Sequence, residues 1–332
     1  MQLRYLLVDS TDAAWNLAAE QYVFDALPRC RSYWMLWQNR RAVVVGKYQN
    51  TLAEINEDYV RENGVQVVRR LSGGGAVYHD MGNLNYTVVT DAGSTQSLDF
   101  RLLSRPLLDT LRSLGVPAEL NGRNDICVEG KKISGNSQYR REGRVMQHGT
   151  ILFDSDLSAV EAALCCDPEK LRGKAVASVR SRVTNLRPYL PQELTLGEFR
   201  TLFLQKLLES SPGEAYVFTE RDRQAIEAIR AGRYARREWN YGASSVGAVV
   251  RKKRVEGCGT VGAEWREQDG CIAALRFFGD FFSLSDPDVL AEKLIGLPLE
   301  RNALRAALEK ADVPRYISGL DGDTLSELLL ER

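Results

Sequence analysis

Histidine is scarce in this chain of 332 residues, which contains only His79 and His148. A zinc site built on several histidines is therefore excluded, and few candidates remain for a nucleophile activated by histidine. The six cysteines form no Cys-x-x-Cys pair, and a chain of this length does not depend on disulfides to build a core. We expect reduced thiols in a reducing compartment.

The chain also lacks net charge and long apolar runs. Its 44 lysines and arginines balance 44 aspartates and glutamates, which disfavours a protein that binds nucleic acid in bulk or adheres to a membrane surface. No apolar stretch approaches the roughly 18 residues that a membrane-spanning helix needs. Because residues 1–5 lack a basic region followed by an apolar core, no signal peptide is predicted, and we expect a cytoplasmic location.

The composition, with 44% hydrophobic and 27% charged residues, is typical of a folded globular protein. The length exceeds the size at which a single core usually stops growing, so two domains are expected. The character of the sequence changes after the Trp-Asn-Tyr-Gly segment at 239–242, where a stretch of small residues begins. We therefore predict domains at 1–243 and 246–332.

Hydrophobic periodicity and capping residues predict an order of elements that mixes hairpins with helices. Helices are expected near 13–27, 56–62, 99–114, 156–164, 167–172 and 197–209, and two or three helices are expected to close the chain, one of which begins at Ser285-Asp286-Pro287. Strands are expected near 33–38, 42–46, 65–70, 84–90, 144–153, 246–251, 258–264 and 271–278, with a hairpin over 126–134. This order is not a regular βαβ alternation, and it predicts an α+β fold with a large antiparallel or mixed sheet.

The densest group of polar and glycine residues is Arg69-Arg70-Leu71-Ser72-Gly73-Gly74-Gly75-Ala76-Val77-Tyr78-His79-Asp80. Three glycines after a strand expose backbone N–H donors and let a ligand approach the chain closely, and the two arginines are placed to meet an anion. The segment is neither a Walker loop nor a Gly-x-Gly-x-x-Gly fingerprint. On the residues alone, a flexible hairpin loop is an equally good interpretation.

A second group surrounds Lys132. The alternation of a strand predicts that Lys132 and Ser134 share a face, and the adjacent Gly135 leaves room beside the lysine. A lysine in this position suits a phosphate or a carboxylate. The alternative is an exposed lysine in a hairpin.

Two further groups follow along the chain. His148 and Thr150 are predicted to share one face of a strand, where a lone histidine is more often structural than catalytic. Segment 178–186 combines two arginines with hydroxyls and an amide, which suits a lid over a phosphate or an adenine. The alternative for this segment is a strand on the surface.

In this order and at this spacing, the four groups resemble the motifs of lipoate–protein ligases that carry a C-terminal accessory domain. The matching segments are RRLSGGGAVYHDMGN (69–83), GRND (122–125), KKISGNSQ (131–138), HGT (148–150) and SVRSRVTNL (178–186). The resemblance of the last third rests on its size and position. The family implies a catalytic domain with the large mixed sheet of the biotin and lipoyl ligases, followed by a small α+β accessory domain.

The resemblance implies a reaction in two steps. ATP activates lipoate to lipoyl-AMP with release of pyrophosphate, and the lipoyl group then passes to a lysine of a lipoyl-carrier domain. The implied carriers are E2 subunits of 2-oxoacid dehydrogenases and the glycine cleavage H protein. ATP, Mg²⁺ and lipoate are the expected small molecules. We expect a monomer with no nucleic-acid or membrane partner.

The resemblance also implies roles for individual residues. Lys132 is the expected catalytic cation, placed between the lipoyl carbonyl and the phosphate in both steps. The expected ATP contacts are Arg70, Gly75, Ala76, Val77, Tyr78, Asp125, Lys132, Ser178, Arg180 and Arg182, and Asp125 is the expected Mg²⁺ ligand. The expected lipoate contacts are Ser72, Gly73, Gly74, Lys132, His148 and Gly149. The apolar tail is expected to contact side chains such as Leu17 or Trp37.

Two other functions remain open on the sequence. An octanoyltransferase of the same fold would use no ATP and would acylate a cysteine, but the upstream position here is Gly122-Arg123-Asn124-Asp125, and Cys127 lies in a predicted strand. A non-catalytic protein that binds lipoate or a carrier would not need Lys132, Arg70 and Asp125, which are all present. Biotin ligases share the fold, but their Gly-Arg-Gly-rich loop is absent.

Overall fold

The computed structural model describes residues 2–91, 99–122, 124–164, 182–242 and 249–330. The strands are β1 Gln2–Leu7, β2 Arg31–Trp37, β3 Ala42–Val45, β4 Gln66–Arg69, β5 Val77–His79, β6 Asn83–Asp91, β7 Ala118–Asn121, β8 Asp125–Val128, β9 Lys131–Arg141, β10 Arg144–Leu152, β11 Gly213–Ala215, β12 Val249–Val255, β13 Gly259–Gln268 and β14 Cys271–Gly279. The helices are α1 Ala13–Ala26, α2 Thr51–Glu54, α3 Glu57–Glu62, α4 Arg101–Ser113, α5 Leu157–Ala163, α6 Leu196–Ser210, α7 Glu220–Ile229, α8 Arg237–Tyr241, α9 Pro287–Leu294, α10 Arg301–Glu309, α11 Val313–Tyr316 and α12 Gly322–Leu330. A 3₁₀ turn forms at Arg187–Tyr189 and a π-helical turn at Arg230–Tyr234.

A large sheet runs through the described residues before position 242, with the strand order β11-β1-β2-β6-β10-β9-β8-β7. β1 is parallel to both β2 and β11, whereas the other neighbours are antiparallel. The sheet is therefore mixed. The predicted α+β class with a large mixed sheet is confirmed.

The strand β2 shows why both faces of this sheet are buried. Its side chains alternate, so that Tyr33, Met35 and Trp37 pack in one hydrophobic cluster and Trp34 and Leu36 in another. Helix α1 covers the first face, and helices α4 and α6 cover the second. A strand covered on both sides is apolar throughout rather than alternating with polar residues.

A small sheet of order β4-β3-β5 lies on the α1 side of the large sheet. β3 is parallel to β4 and antiparallel to β5. Val44 and Val68 pack towards the large sheet, whereas Val43, Val45 and Val67 pack in an outer cluster with residues of α3 and α5. The two sheets thus face each other, and the functional pocket described below opens between them.

Helix α1 is buried along most of its length. Asp12 caps its N-terminus, since the Asp12 carboxylate accepts hydrogen bonds from the N–H groups of Ala14 at 2.8 Å and Trp15 at 3.1 Å. The buried side chains include two polar ones, Asn16 and Glu20. A buried carboxylate in an apolar helix needs polar partners, and Glu20 finds them at the pocket.

Residues 249–330 form a second, antiparallel sheet of order β12-β13-β14, which packs with α9–α12 around its own hydrophobic cluster. This part contacts the rest of the chain beside the glycine-rich loop. Tyr48 stacks on Phe281 with ring centroids 5.1 Å apart, and Lys47 Nζ lies 2.8 Å from Asp286 Oδ2.

The helices and strands predicted within the described residues form close to their predicted positions. Strands β1, β5, β7 and β11 and helices α2, α7 and α8 were not predicted, and β9 continues past the predicted hairpin arm to Arg141. The predicted helix at 167–172 and the predicted boundary at 243–246 lie outside the described residues. Within the described ranges, no helix has the length and apolar character needed to cross a membrane.

Candidate active site

A pocket of about 600 Å³, including its open mouth, lies between the large and the small sheet. Its apolar wall contains Leu17 of α1, Trp37 of β2, Val44 of β3 and Val77 of β5. Both side chains that were expected to contact an apolar tail, Leu17 and Trp37, are in this wall. An apolar pocket with a few placed polar groups is typical of a site for a small molecule.

Lys132 supplies a cation at one end of the pocket. Its Nζ lies 2.7 Å from Oδ1 of Asp125, and about a third of each side chain is exposed (34% and 35%). The backbone carbonyl of Lys132 accepts a hydrogen bond from the N–H of Thr184 at 2.9 Å, where Val183 forms a parallel bridge to the same strand. The ion pair therefore holds the amine in the pocket while leaving it accessible to a ligand.

An irregularity in the pairing of β8 with β9 decides which side chain accompanies Lys132. Lys132 and Ser134 pair with successive residues of β8, so that Ile133 is an extra residue in β9. Gly135, rather than Ser134, then lines the pocket with Lys132. The prediction that Lys132 and Ser134 share a face is wrong, because the bulge breaks the period of two on which it relied.

Gly135 makes room for the lysine. A Cβ atom at this position would lie 2.6 Å from Nζ and 2.7 Å from Cε of Lys132, which is too close for any real contact. This close approach agrees with the sequence-based expectation that the glycine leaves space beside the lysine.

Arg70 holds the glycine-rich loop from inside the protein. Its Nη2 donates to the carbonyls of Gly73 at 2.7 Å and Gly75 at 2.8 Å, its Nη1 to the carbonyl of Val44 at 3.1 Å, and its Nε to the hydroxyl of Ser72 at 3.1 Å. Burial lowers the pKa of Arg70 to about 10, so the guanidinium stays charged at neutral pH. Arg70 also lines the pocket, where its charge acts on any anion bound there.

Arg69 does not meet an anion. Its guanidinium donates to the carbonyls of Gly46, Lys47, Gln49, Trp239 and Asn240 and to the hydroxyl of Thr51. The expectation that both arginines are available to a ligand is therefore wrong for Arg69, because these contacts already satisfy its guanidinium. The residue instead fastens β4 to the segment that follows β3 and to α8.

Ser72 and His148 form a buried polar chain with Glu20. The Ser72 hydroxyl lies 2.6 Å from Nε2 of His148, and Nδ1 of His148 lies 3.0 Å from a carboxylate oxygen of Glu20. In the neutral ring that donates Nδ1–H to this carboxylate, Nε2 carries no proton and accepts from the Ser72 hydroxyl, whose oxygen accepts from Nε of Arg70. This network fixes the ring of His148, which lines the pocket.

The other residues of the glycine-rich loop that were predicted to contact a ligand do not all line the pocket. Gly74, Gly75, Ala76 and Val77 line the pocket. The side chain of Tyr78 instead packs in the outer cluster of the small sheet, so only its backbone faces the loop. Gly74 has a φ of 90°, a conformation that a residue with a side chain rarely adopts.

Of the predicted site residues after His148, one lines the pocket, one is exposed and two lie outside the described residues. Gly149 lines the pocket beside His148. Arg182 is exposed at the start of the segment that leads to Val183. Ser178 and Arg180 lie outside the described residues.

The C-terminal part of the chain also reaches the pocket. The carbonyl of Phe281 accepts a hydrogen bond from the N–H of Gly74 at 3.1 Å, and a Cβ on Gly73 would lie 2.3 Å from the same oxygen. The ring of Phe282 lines the pocket and packs on Phe100 with centroids 5.5 Å apart. One edge of the glycine-rich loop is thus covered by residues more than 200 positions later in the sequence.

Sequence reasoning missed His79 and Phe282 as residues of the pocket wall, and Glu20 as the partner that holds His148 behind that wall. Glu20 carried a usable signal, because a charged residue inside the apolar run of α1 needs a buried partner. The only sequence signal for His79 was its position shortly after the three glycines. Phe282 carried none, since only the tertiary contact brings β14 and its following loop to the pocket.

The surroundings of Asp125 fit a ligand of Mg²⁺ that is completed by a bound nucleotide. Among the described residues, no group of three or more acidic, histidine or cysteine side chains is arranged to hold a metal. Mg²⁺ at nucleotide sites commonly takes one or two carboxylates and completes its shell with phosphate oxygens and water. A single, partly exposed carboxylate beside the Lys132 amine fits that mode.

Two family models match this chain. Residues 12–208 match the lipoyl protein ligase A/B catalytic domain, and residues 248–329 match the bacterial lipoate protein ligase C-terminus. Lipoate-protein ligase LplJ of Bacillus subtilis is 38% identical over 96% of this chain and 97% of its own length. The chain belongs to the lipoate–protein ligase family. Lipoate–protein ligase 1 of Staphylococcus aureus is 38% identical over the same shares of both chains.

Solved structures of the lipoate–protein ligase family agree with the fold. P. falciparum LipL1 in complex with lipoate matches with a TM-score of 0.80 over 99% of this chain and 100% of its own, at 21% identity. A lipoate-protein ligase A bound with ATP matches with a TM-score of 0.63 over 73% of this chain and 99% of its own, at 27% identity. The bi-partite lipoate protein ligase of Thermoplasma acidophilum, studied with its E2 lipoyl domain, has a TM-score of 0.66 over 75% of this chain and 100% of its own, at 28% identity.

Proposed function

We propose that this protein is an ATP-dependent lipoate–protein ligase. The lipoate carboxylate attacks the α-phosphate of ATP, which forms lipoyl-AMP and releases pyrophosphate. A lysine amine of a lipoyl-carrier domain then attacks the lipoyl carbonyl, which forms an amide and releases AMP. The observation that carries this proposal is the Lys132–Asp125 pair at one end of a pocket whose wall is otherwise apolar.

Lys132 is the catalytic cation in this proposal. The first step brings a carboxylate against a phosphate, and the mutual repulsion of these anions must be offset by a charge fixed in advance. The ion pair with Asp125 and the space beside Gly135 hold the Lys132 amine in one position. The same amine can then stabilise the negative charge that develops on the lipoyl carbonyl oxygen in the second step.

The nucleotide lies along the glycine-rich loop. Backbone N–H groups of 75–78 bind phosphate oxygens, while Arg70 shapes the loop and adds positive charge from within. Asp125 would hold Mg²⁺, which supplies charge neutralisation between phosphate oxygens when it is bound. By the family resemblance, Ser178, Arg180 and Arg182 are the residues of segment 178–186 that bind ATP.

The lipoyl chain lies on the other side of the loop. Ser72, Gly73, Gly74, His148 and Gly149 bind the acyl group near the charged end. The tail extends along the apolar wall of Leu17 and Trp37, where burial of its methylene groups supplies affinity. One molecule of lipoate therefore presents its carboxylate to Lys132 and its apolar end to the interior.

The macromolecular substrate is a lipoyl-carrier domain. The E2 lipoyl domain studied with the Thermoplasma acidophilum ligase supports this class of partner. E2 subunits of 2-oxoacid dehydrogenases and the glycine cleavage H protein are the carriers in our proposal. We further propose that 1–243 and 246–332 are the two domains, and that the protein acts as a cytoplasmic monomer.

The test is an exchange assay with the full chain. Labelled pyrophosphate is incubated with the protein, ATP, Mg²⁺ and lipoate, and label in ATP is measured. Lipoate-dependent exchange is the expected result, followed by labelling of a carrier domain when one is added. Absence of exchange together with octanoyl transfer from an acyl-carrier protein would replace the ligase by a transferase.

The cysteine chemistry of the transferase finds little support in this site. Cys127 is 5% exposed, and burial raises the pKa of its thiol, which disfavours the thiolate needed for attack. The other described cysteines, Cys30, Cys258 and Cys271, do not line the pocket.

A further inference from the structure

His79 is a pocket residue to which the ligase reaction assigns no role. It is 3% exposed, lies at the end of β5 and lines the pocket next to Trp37, with the two ring centroids 6.1 Å apart. Among the described residues, its Nε2 has no hydrogen-bond partner. A buried polar atom without a partner in a binding pocket is a place where a ligand atom is expected.

A chain of amides determines which nitrogen of His79 carries the proton. The side-chain amide of Asn16 donates to the backbone carbonyls of Ser10 and Gln38 and to Oδ1 of Asn39, each at 2.9 Å. Since Oδ1 of Asn39 accepts, its Nδ2 is the atom that lies 3.0 Å from Nδ1 of His79. That amide can only donate, so Nδ1 accepts and the neutral ring carries its proton on Nε2. His79 therefore offers an N–H donor to the pocket.

This donor lies across the large sheet from Lys132, because its neighbour Trp37 is on β2 and Lys132 is on β9, with β6 and β10 between the two strands. Along β10, Thr150 accepts a hydrogen bond from the N–H of Gly135, which adjoins the Lys132 amine, whereas His148, two residues earlier on the same face, pairs with Glu20. Glu20 also accepts from the hydroxyl of Thr87, which in turn accepts from Nε1 of Trp37 at 2.8 Å. This chain of contacts leads from the cation to Trp37 and its neighbour His79.

We propose that Nε2–H of His79 donates a hydrogen bond to a sulfur of the lipoate dithiolane ring and thereby makes the pocket prefer lipoate to octanoate. The inference rests on the proposed ligase function. Octanoate has the same acyl chain without sulfur, so its binding would bury the N–H with no acceptor, and a buried donor without a partner is unfavourable. Because sulfur is a weak acceptor, a preference of about tenfold is expected rather than the much larger ratios seen for oxygen acceptors.

The kinetic test compares two substrates in three variants. His79→Phe keeps an aromatic ring beside Trp37 but removes the donor. Asn39→Asp keeps the His79 ring and replaces the amide donor with a carboxylate, which accepts from Nδ1–H and leaves Nε2 of a neutral ring without a proton. Because the carboxylate also favours the protonated ring, this variant is measured at a pH where the ¹⁵N-histidine spectrum shows the ring to be neutral. Asn302→Asp, on the exposed face of α10, is the matched control. Both pocket variants should lose about tenfold in the ratio of kcat/KM for lipoate over octanoate, measured by pyrophosphate exchange, while the control keeps the wild-type ratio.

Equal losses for both substrates, with the ratio unchanged, would overturn the proposal and assign His79 to the carboxylate end or to folding.

A second measurement, by NMR, does not depend on catalysis. The chain has only two histidines, so ¹⁵N-histidine labelling of the wild-type protein gives a spectrum that His79→Phe assigns directly.

The NMR spectrum should show a protonated Nε2 on His79, with its resonance shifted by lipoate and not by octanoate. A proton on Nδ1, or the same shift with both acids, would contradict the proposal. If pyrophosphate exchange is absent while lipoate alone shifts the resonance, the ligase function fails and the sulfur contact stands.

Discussion

Lys132 and Asp125 form an ion pair in which both side chains remain about one-third exposed. At the scale of single residues, this pair is the strongest test of the proposed chemistry. Lys132→Ala should lower lipoate-dependent pyrophosphate exchange by about a hundredfold or more, because the repulsion between carboxylate and phosphate is no longer offset. Thermal unfolding of the variant should match the wild type, since an exposed pair contributes little to stability.

Lys131→Ala is the matched control for this substitution, because Lys131 is the exposed neighbour on the same strand. It should leave exchange unchanged. Retention of most exchange by Lys132→Ala would remove Lys132 from the centre of the mechanism.

Gly135→Ala tests the space beside the lysine. The added methyl group would displace the end of the Lys132 side chain, which is flexible, so folding should be preserved while exchange falls at least tenfold. Gly232→Ala is the control, because a Cβ at Gly232 meets no atom within 4 Å. Wild-type exchange by Gly135→Ala would show that the position of the amine is not restricted.

His79 makes stability depend on pH in a defined direction. Burial lowers the pKa of His79 to about 3, whereas an unfolded histidine titrates near ~6.5. Between these values the unfolded chain binds one more proton than the folded chain, so stability falls as the pH drops below about 6.5. The contribution is about 1.4 kcal/mol per pH unit, or about 2 kcal/mol at pH 5.

The measurement is urea unfolding of the wild type and His79→Phe at pH 7 and pH 5. The wild type should lose about 2 kcal/mol more than the variant on acidification. Equal losses would mean that His79 binds protons equally in the folded and the unfolded chain, so that folding does not lower its pKa.

Several site residues could be predicted from sequence, and others could not. The Lys-Lys-Ile-Ser-Gly motif identified Lys132 because the residue types and spacing resemble a family motif. Glu20 lies outside the matching motifs, and His79 lies within the 69–83 motif but received no role from it. The roles of both residues depend on which side chains the fold places beside them. Ser134 was misassigned because a bulge, which a period-two rule does not contain, separates it from Lys132.

At the scale of elements, helix α6 begins with a capping box. The Thr195 hydroxyl accepts from the N–H of Glu198 at 3.2 Å, and the Glu198 carboxylate accepts from the N–H of Thr195 at 2.8 Å. Thr195→Ala should lower the free energy of unfolding by about 1 kcal/mol without altering exchange, because α6 covers the sheet face opposite the pocket.

Urea unfolding provides the measurement for this substitution, with Thr201→Ala in the same helix as the control. Thr201 is exposed and bonds only the preceding turn, at the carbonyl of Gly197. Because alanine is a better helix former than threonine, helix propensity alone predicts no loss for Thr201→Ala. Similar losses in the two variants would therefore show that the loss at Thr195 is not specific to the cap.

Long periodic elements were predictable because their pattern is local. The apolar run of β2 and the spacing of α1 reflect burial against neighbours that any large core would provide. The short strands β1, β7 and β11 were not predictable, since they form by pairing with distant strands rather than from their own composition. Helix α7 carried a capping box at Thr219 and Asp222 that the sequence reading overlooked.

At the scale of the whole molecule, the C-terminal part closes one side of the pocket through Phe281 and Phe282. Phe282→Ala should impair adenylation more than transfer of preformed lipoyl-AMP, because the ring lines the pocket in which activation occurs. We expect about a tenfold loss in pyrophosphate exchange and a smaller loss in acyl transfer to a carrier domain.

Val289→Ala serves as the control, since Val289 of α9 is 43% exposed. It should leave both steps unchanged. Equal losses in the two steps for Phe282→Ala would argue that the contact supports folding of the C-terminal part and not closure of the activation site.

The sequence by itself determined the α+β composition of the fold, the glycine-rich loop and the cation at position 132, because each of these depends on residue types at short, fixed spacings. Only the tertiary structure decided that the Arg69 guanidinium donates to backbone carbonyls instead of binding a ligand. It also decided that Ser134 faces away from the pocket and that Phe282 lines it. Those outcomes depend on contacts between segments far apart in the chain, and local periodicity carries no information about which distant surfaces meet.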